Sequence, residues 1–346
     1  MFVKIFIGQH TTLYKIILII ISLTFIFCIV YLVLIFNVPY GERGKEILIE
    51  IEKGKGLREI AGKFEENKLI RNSYEFILAY KLFFLRKTIK AGEYKFILPQ
   101  SLRNVLEKVI RGEVFLRTIT VREGMNVYEV SENLRSNMIL KNKEEFIKET
   151  ENPSYINDLV ENALNLEGFL YPDTYLFPKN ESPEKVVSTM TERFKSIFNE
   201  DLRSRAQEIK MSIKDIIILA SLIEKETSLK YEKPLISSVF HKRLKIGIPL
   251  QCDPTVIYAY RKKGILKEIL SRDDLKINSP YNTYIHRGLP PTPICSPGKD
   301  SIEAALYPAN TNFLYFVSKG DGSHYFSKNI SEHNKAVKKF RSSSNY

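Results

Sequence analysis

The chain has little cysteine, three residues in 346, at positions 28, 252 and 295. Cys28 falls in a long apolar run, and the two that remain make no disulfide framework. Paired cysteine ligands and an HExxH helix are missing and the five histidines are dispersed, so no metal site and no cofactor is implied. There is no Gly-rich phosphate loop, no GxSxG elbow and no low-complexity tail. The net charge of +12 is not gathered into one patch. Basic residues are scattered among acidic ones without a recognition motif, so nucleic acid is not implied as a partner. Anionic lipid or cell-wall polymer suits an exported basic chain better.

Charge itself is absent from residues 16–36, "IILIIISLTFIFCIVYLVLIF". At about 1.5 Å per residue this run covers a hydrocarbon core of about 30 Å. No small residues stand before Asn37-Val38-Pro39 to mark a cleavage site, so the run is expected to be a retained single transmembrane helix anchored in a lipid bilayer. Lys4 and Lys15 precede it, while Arg43 and Lys45 follow among Glu42 and Glu46. With so short a leading tail, residues 1–15 are expected in the cytoplasm and the bulk outside. The remainder is long enough for about two domains.

Beyond the apolar run, short strands alternate with helices, an α+β pattern. Residues 51–70 and 121–140 resemble each other, aligning Gly54 with Gly124, Glu59 with Glu129 and Asn67 with Asn137. Each copy is a β-rich entry, a Gly turn and an amphipathic helix, one unit used twice. Residues 91–96 are expected as a strand, and residues 101–110 as a helix closed by Gly112. Ser182-Pro183-Glu184 opens a helix whose Val186, Val187, Met190, Phe194 and Ile197 form a core stripe. The stretch from "IPLQCDPTVIYAY" to "SPYNTYIHRGLPPTPICSPG" is expected to be loop-rich. "FLYFVSKGDGSHYFS" is expected as a hairpin turning at Asp321 and Gly322, and a helix is expected to start at Ser331.

"DIIILASLIEKET", residues 215–227, runs eight apolar or small residues into Glu224, Lys225 and Glu226. Ser212 three residues before Asp215 caps this helix, which is buried nearly all round. A carboxyl at its apolar end is harder to ionise and would suit a general acid, among loops rich in the polar and aromatic residues that hold sugars. Periodicity leaves open which Glu matters. It also leaves open an exposed last turn whose acids pair with Lys225 or Lys230.

"LASLIEKET", "SSVFHKRLKIGIPLQCDPTVIYAY", "SPYNTYIHRGLPPTPICSPGKDSIEAALYPA", "LYFVSKGDGSHYFS" and "EHNKAV" together resemble the YceG-like family of endolytic murein transglycosylases. "LEGFLYPDTY" and the anchor match in order, so the resemblance covers nearly the whole chain. It implies a LysM-like βα subdomain at residues 41–122 and a mixed α+β catalytic domain at residues 123–346. It implies that Glu224, first of the "EKET" acids, protonates the bond between N-acetylmuramic acid and N-acetylglucosamine in nascent peptidoglycan. The muramic C6 hydroxyl then closes a 1,6-anhydro end. Glu226, Gln251, Asp253, Thr255, Asn282, Thr283 and Tyr284 sit in matching motifs as substrate-binding candidates, with turn formation open for Asp253-Pro254. Cys252 is given no role. The resemblance implies a bacterial inner-membrane enzyme that limits strand elongation beside peptidoglycan synthases. A hydrolase using Asp253 as second acid and a non-catalytic wall-binding scaffold are the competing readings.

Overall fold

The computed structural model describes residues 2–342, with side chains from 14 to 340. It divides into two compact units, Met1–Leu116 and Arg117–Tyr346. The first begins with helix α1 (Phe2–Asn37), and the stretch Tyr14–Asn37 is apolar and uncovered by protein along its hydrophobic window. By length and composition this helix could cross a membrane.

The rest of the first unit is strand β1 (Glu46–Ile51), helices α2 (Leu57–Glu66) and α3 (Ser73–Phe83), strand β2 (Gly92–Ile97) and helix α4 (Leu102–Arg111). The strands pair antiparallel, placing Ile47 opposite Phe96 and Ile49 opposite Tyr94. Alternation sends these side chains to one face, against Phe64 and Phe76, whose rings meet edge-on at 5.3 Å. Ser101 caps α4 and left-handed Gly112 ends it.

The same order recurs in strand β3 (Leu116–Thr120), helices α5 (Val127–Ser136) and α6 (Lys143–Thr150) and strand β4 (Thr174–Pro178), with β3 and β4 paired. The repeat seen in the sequence is therefore structural in detail. Glu59 and Glu129 each accept from the backbone N–H three residues earlier, and at the second site Asn126 Oδ1 accepts from the Glu129 N–H in return, a full capping box that Gly56, without a side chain, leaves half made. Asn67 and Asn137 each end their helix, and Lys68 and Met138 follow in the left-handed region at φ 57° and 58°.

Helices α7 (Pro183–Ile197), α8 (Glu200–Glu208), α9 (Ile213–Glu226), α10 (Lys233–Lys245), α11 (Asp253–Lys262) and α12 (Lys299–Leu306) follow. Strands β5 (Tyr315–Ser318) and β6 (His324–Ser327) and helix α13 (Ile330–Ser342) complete the described chain. Ile216 through Ile223 of α9 are all buried, and α8, α10, α11 and α12 pack around it. The β5–β6 hairpin turns through Asp321, whose carboxylate accepts from the Ser323 N–H at 2.9 Å.

Two local expectations change. Asp253-Pro254 opens helix α11 instead of a loop, because proline fits the first helical turn, where its missing N–H is no loss. Helix α13 starts at Ile330, ahead of Ser331, because Asn329 accepts from the Glu332 N–H while Glu332 caps in return by accepting from the Lys328 N–H, both at 2.9 Å.

Gly168 marks a tight joint in this core. Its φ is +84°, and a Cβ there would lie 2.4 Å from Pro293 Cβ and 3.2 Å from Ile217 Cγ2 of α9. Gly168→Ala should lower the unfolding free energy by about 3 kcal/mol, combining left-handed strain with overpacking. Chemical denaturation of the variant beside the parent protein checks this, and an unchanged midpoint would contradict it.

Candidate active site

Two carboxyls leave the last turn of α9 in different directions. Glu224 points between α10 and α12, and its side chain is 8% exposed. The Lys233 ammonium, 3% exposed, lies 3.2 and 3.1 Å from its two oxygens. The Gly298 N–H donates to Oε2 at 3.0 Å and the Ser301 hydroxyl at 2.6 Å. Gly298 is the N-cap of α12, so the carboxylate sits where that helix presents free N–H groups and positive dipole. Saturated by an ammonium and two further donors, Glu224 binds three helices together. Its partner is neither Lys225 nor Lys230: Lys225 donates to Gly124 O at 3.3 Å, and Lys230 pairs with Asp300 at 2.7 Å.

Glu226 is half-buried and borders a cavity of about 530 Å³. Arg243 of α10, the loop from Leu250 to Asp253, Tyr284, the β5–β6 hairpin and α13 form the walls. Withdrawal from water pushes the Glu226 carboxyl from 4.5 up to about 7. A hydrogen bond with the Cys252 thiol opposes the rise and the Asp253 charge adds to it. The thiol is itself pushed well above its usual range, chiefly by burial, so it stays protonated. Cys252, given no role from sequence, thus touches the acid.

The wall opposite is rigid. The Arg243 guanidinium donates to the carbonyls of Leu314, Pro249 and Leu250 at 2.8, 3.0 and 2.9 Å and to Gln251 Oε1 at 3.2 Å. Tyr315 stacks on it with its ring centre 4.9 Å away. Gln251 takes the left-handed φ of 54° and donates its N–H to Thr283 O at 3.1 Å, a strained residue held at the cavity edge. Tyr284 donates its hydroxyl to Asp253. The buried carboxylate of Glu232 accepts from the His324 N–H at 2.9 Å and meets its Nδ1 at 2.7 Å, fastening the hairpin to α10.

Of the expected residues, Glu226, Gln251, Asp253 and Tyr284 come together on the cavity, while Glu224 lines a separate, more open one of about 490 Å³ with Glu123, Lys230, Lys233 and Asp300. Thr255, Asn282 and Thr283 are buried beneath. The Thr255 and Thr283 hydroxyls meet at 2.9 Å, and the Asn282 amide donates to the Leu275 and Ile277 carbonyls at 2.9 Å each. They support the loop that carries Gln251 and Tyr284. Arg243, His324 and Tyr315 escaped sequence reasoning, although "HKRLKIG" and "GSHYF" lie in quoted motifs. Only distant packing gives them a place in one wall.

Comparison with known proteins agrees with this architecture. A profile of the YceG-like family matches residues 49–339. The endolytic murein transglycosylase of Bacillus subtilis (strain 168) is 33% identical over 315 residues, covering 86% of this chain and 85% of that protein. That of Streptococcus pneumoniae (strain R6) is 26% identical over 330 residues, covering 85% of this chain and 58% of that one. A crystal structure of a YceG-like protein from Listeria monocytogenes superposes with a TM-score of 0.58 at 31% identity, covering 84% of this chain and 98% of that one. With the match spanning most of its length, the chain belongs to the YceG-like family.

Proposed function

We propose that this chain is an endolytic murein transglycosylase whose proton donor is Glu226. The observation carrying the reading is a carboxyl that burial raises to about 7, on a cavity large enough for several sugar atoms, in a chain with relatives that bear this activity in their name. Glu224, the first acid of the motif, suits the donor role less well, since its oxygens accept from Lys233, Gly298 and Ser301. We assign it to positioning: it sets the end of α9 so that Glu226 faces the cavity.

In the proposed reaction, the Glu226 proton passes to the oxygen linking N-acetylmuramic acid to N-acetylglucosamine, and the bond to muramic C1 breaks. The oxocarbenium-like C1 is then attacked by the muramic C6 oxygen, whose proton returns to the Glu226 carboxylate. The 1,6-anhydro ring forms, a 4-hydroxyl end is released and the acid is regenerated. Because the nucleophile belongs to the substrate, one carboxyl serves both steps. Gln251, Asp253 and Tyr284 supply polar contacts for the sugars.

The apolar helix α1 supports membrane anchoring, with the N-terminus inside and the chain after α1 outside. The first βααβ unit takes the LysM-like role. Held there, the enzyme would cut nascent strands near where they are polymerised, beside the synthases, and limit their length.

Mass spectrometry of uncrosslinked glycan strands tests the reading. The full-length protein should create internal 1,6-anhydromuramic ends, and Glu226→Gln should lower their rate by about 10²–10⁴ while remaining folded. Reducing ends would instead mean a hydrolase, with Asp253 the candidate to activate water. No cleavage by folded, membrane-reconstituted protein would favour a wall-binding scaffold.

Glu224→Gln leaves the Lys233 ammonium buried and unpaired, and should destabilise the second unit by about 3–5 kcal/mol in denaturant titration. Its folded fraction should retain activity. Complete inactivity of a fully stable Glu224→Gln protein would return the donor role to Glu224.

The rate should fall as pH rises through about 7, where Glu226 loses its proton. Stability should follow the same sign. A carboxyl raised in the folded state contributes fully below its unfolded value near 4.5, and that contribution is lost as pH rises through about 7. The buried Glu167, which accepts from the Tyr258 hydroxyl at 2.8 Å, is likewise raised to about 7. Thermal unfolding should therefore show Glu226→Gln removing part of the decline between about pH 4.5 and 7, with Glu167 accounting for more. An unaltered slope in the Glu226→Gln protein would count against its raised carboxyl.

A further inference from the structure

In the first unit, helix α3 buries only one of its faces. Phe76 and Ala79 enter the core, whereas Tyr74, Leu78 and Leu82 recur every four residues on another side, 81%, 44% and 53% exposed. Leu85, just past the helix, prolongs the stripe at 68%. A helix lying on a water-facing surface normally turns this side polar. Here the charged residues of the helix, Glu75 and Lys81, flank the apolar stripe on either side.

The stripe is tied to the apolar helix. Tyr31 of α1 donates to Glu75 at 3.1 Å, near the start of α3, and Phe36 packs on Phe83 at its end, with ring centres 4.7 Å apart. Helix α3 thus runs beside the last turns of α1, between positions 31 and 36. Five helical residues measure about 8 Å. Amphipathic helices that lie in a bilayer interface sink about 5–10 Å, so α3 occupies that depth wherever α1 spans. Lys81, Arg86 and Lys87 are exposed around the end of the stripe, as attraction to anionic headgroups requires.

We propose that the face of α3 bearing Tyr74, Leu78 and Leu82 is a membrane-docking surface, seated in the outer interface of the bilayer that α1 crosses. The inference rests on the reading of α1 as a span and adds a second, lateral attachment. One helix alone would leave the first unit free to tilt about its tether. Two contacts fix which side of that unit faces the lipid.

The sequence contains no tryptophan, so a single introduced tryptophan reports alone. The full chain would be reconstituted into vesicles of phosphatidylglycerol and phosphatidylcholine with brominated acyl chains, which quench indole on contact. Phe25→Trp, within the apolar run, should be strongly quenched. Leu82→Trp, on the stripe, should be quenched to at least about half that extent. Leu48→Trp, on the β1 face turned away from the core, should be unaffected.

Strong quenching at Phe25→Trp with none at Leu82→Trp would overturn the proposal, as would equal quenching at Leu82→Trp and Leu48→Trp. An unquenched but blue-shifted, concentration-dependent signal at Leu82→Trp would overturn it in favour of a second copy of the chain on this face. Absence of quenching at Phe25→Trp would strike the spanning helix itself, and so separates failure of the anchor from failure of the docking surface.

Discussion

The ion pair between Glu224 and Lys233 sets the geometry around the end of α9. Both side chains are almost fully buried, so neither can lose the other without leaving a charge in a poorly solvated place, at a penalty of several kcal/mol. Helices α10 and α12 are thereby held to one register against α9, since Lys233 starts the first and Gly298 and Ser301 start the second. Two residues along a helix is a rotation of about 200°. Locking Glu224 toward that joint therefore turns Glu226 toward the opposite side, where the cavity lies.

The repeated βααβ unit shows how one sequence pattern serves two structural ends. The first copy closes its own core around Phe64, Phe76, Tyr94 and Phe96. The second gives Val127, Val130 and Leu134 to the large core that surrounds α9. The difference is visible at the aligned glycine turns. Nothing packs on Gly54 within 4 Å of where a side chain would begin, whereas Gly124 donates its N–H to Ser296 O at 2.9 Å and accepts from Lys225 at its carbonyl. The second copy is thus fastened to both the start of α12 and the end of α9, and it shapes the setting of the acids without contributing one to the cavity.

What could be read from sequence follows the range of the forces. The cap of α9 by Ser212, the core stripe from Val186 to Phe194, the Gly112 stop and the hairpin at Asp321 are all decided by residues within a turn or two. Asp253-Pro254 suits a turn and a helix start alike, and only the packing of the residues that follow decides for helix α11. The different surroundings of Glu224 and Glu226 lie beyond periodicity for a different reason. Gly298 and Ser301 lie more than seventy positions from Glu224 in the chain, and His324 stands ninety-two from its partner Glu232. No local pattern records such pairings. The apolar helix shows the same restriction on its outer side: its length was plain, while its contacts with Glu75 and Phe83 were not.

For the donor role proposed for Glu226, its surroundings suit a group that must first give a proton and then take one back. Burial alone would drive the carboxyl toward permanent protonation, making it a reluctant acid and leaving little carboxylate to serve as base. The Cys252 thiol counters this by hydrogen bonding, and because burial keeps that thiol neutral it does so without adding a charge to the cavity. A cation in its place would pull the carboxyl down much further. Asp253 pushes the other way through its negative charge, while Tyr284 holds that carboxylate by a hydrogen bond. A carboxyl balanced at about 7 has both protonation states within reach at neutral pH, which is the condition for greatest efficiency when one residue serves as acid and then as base.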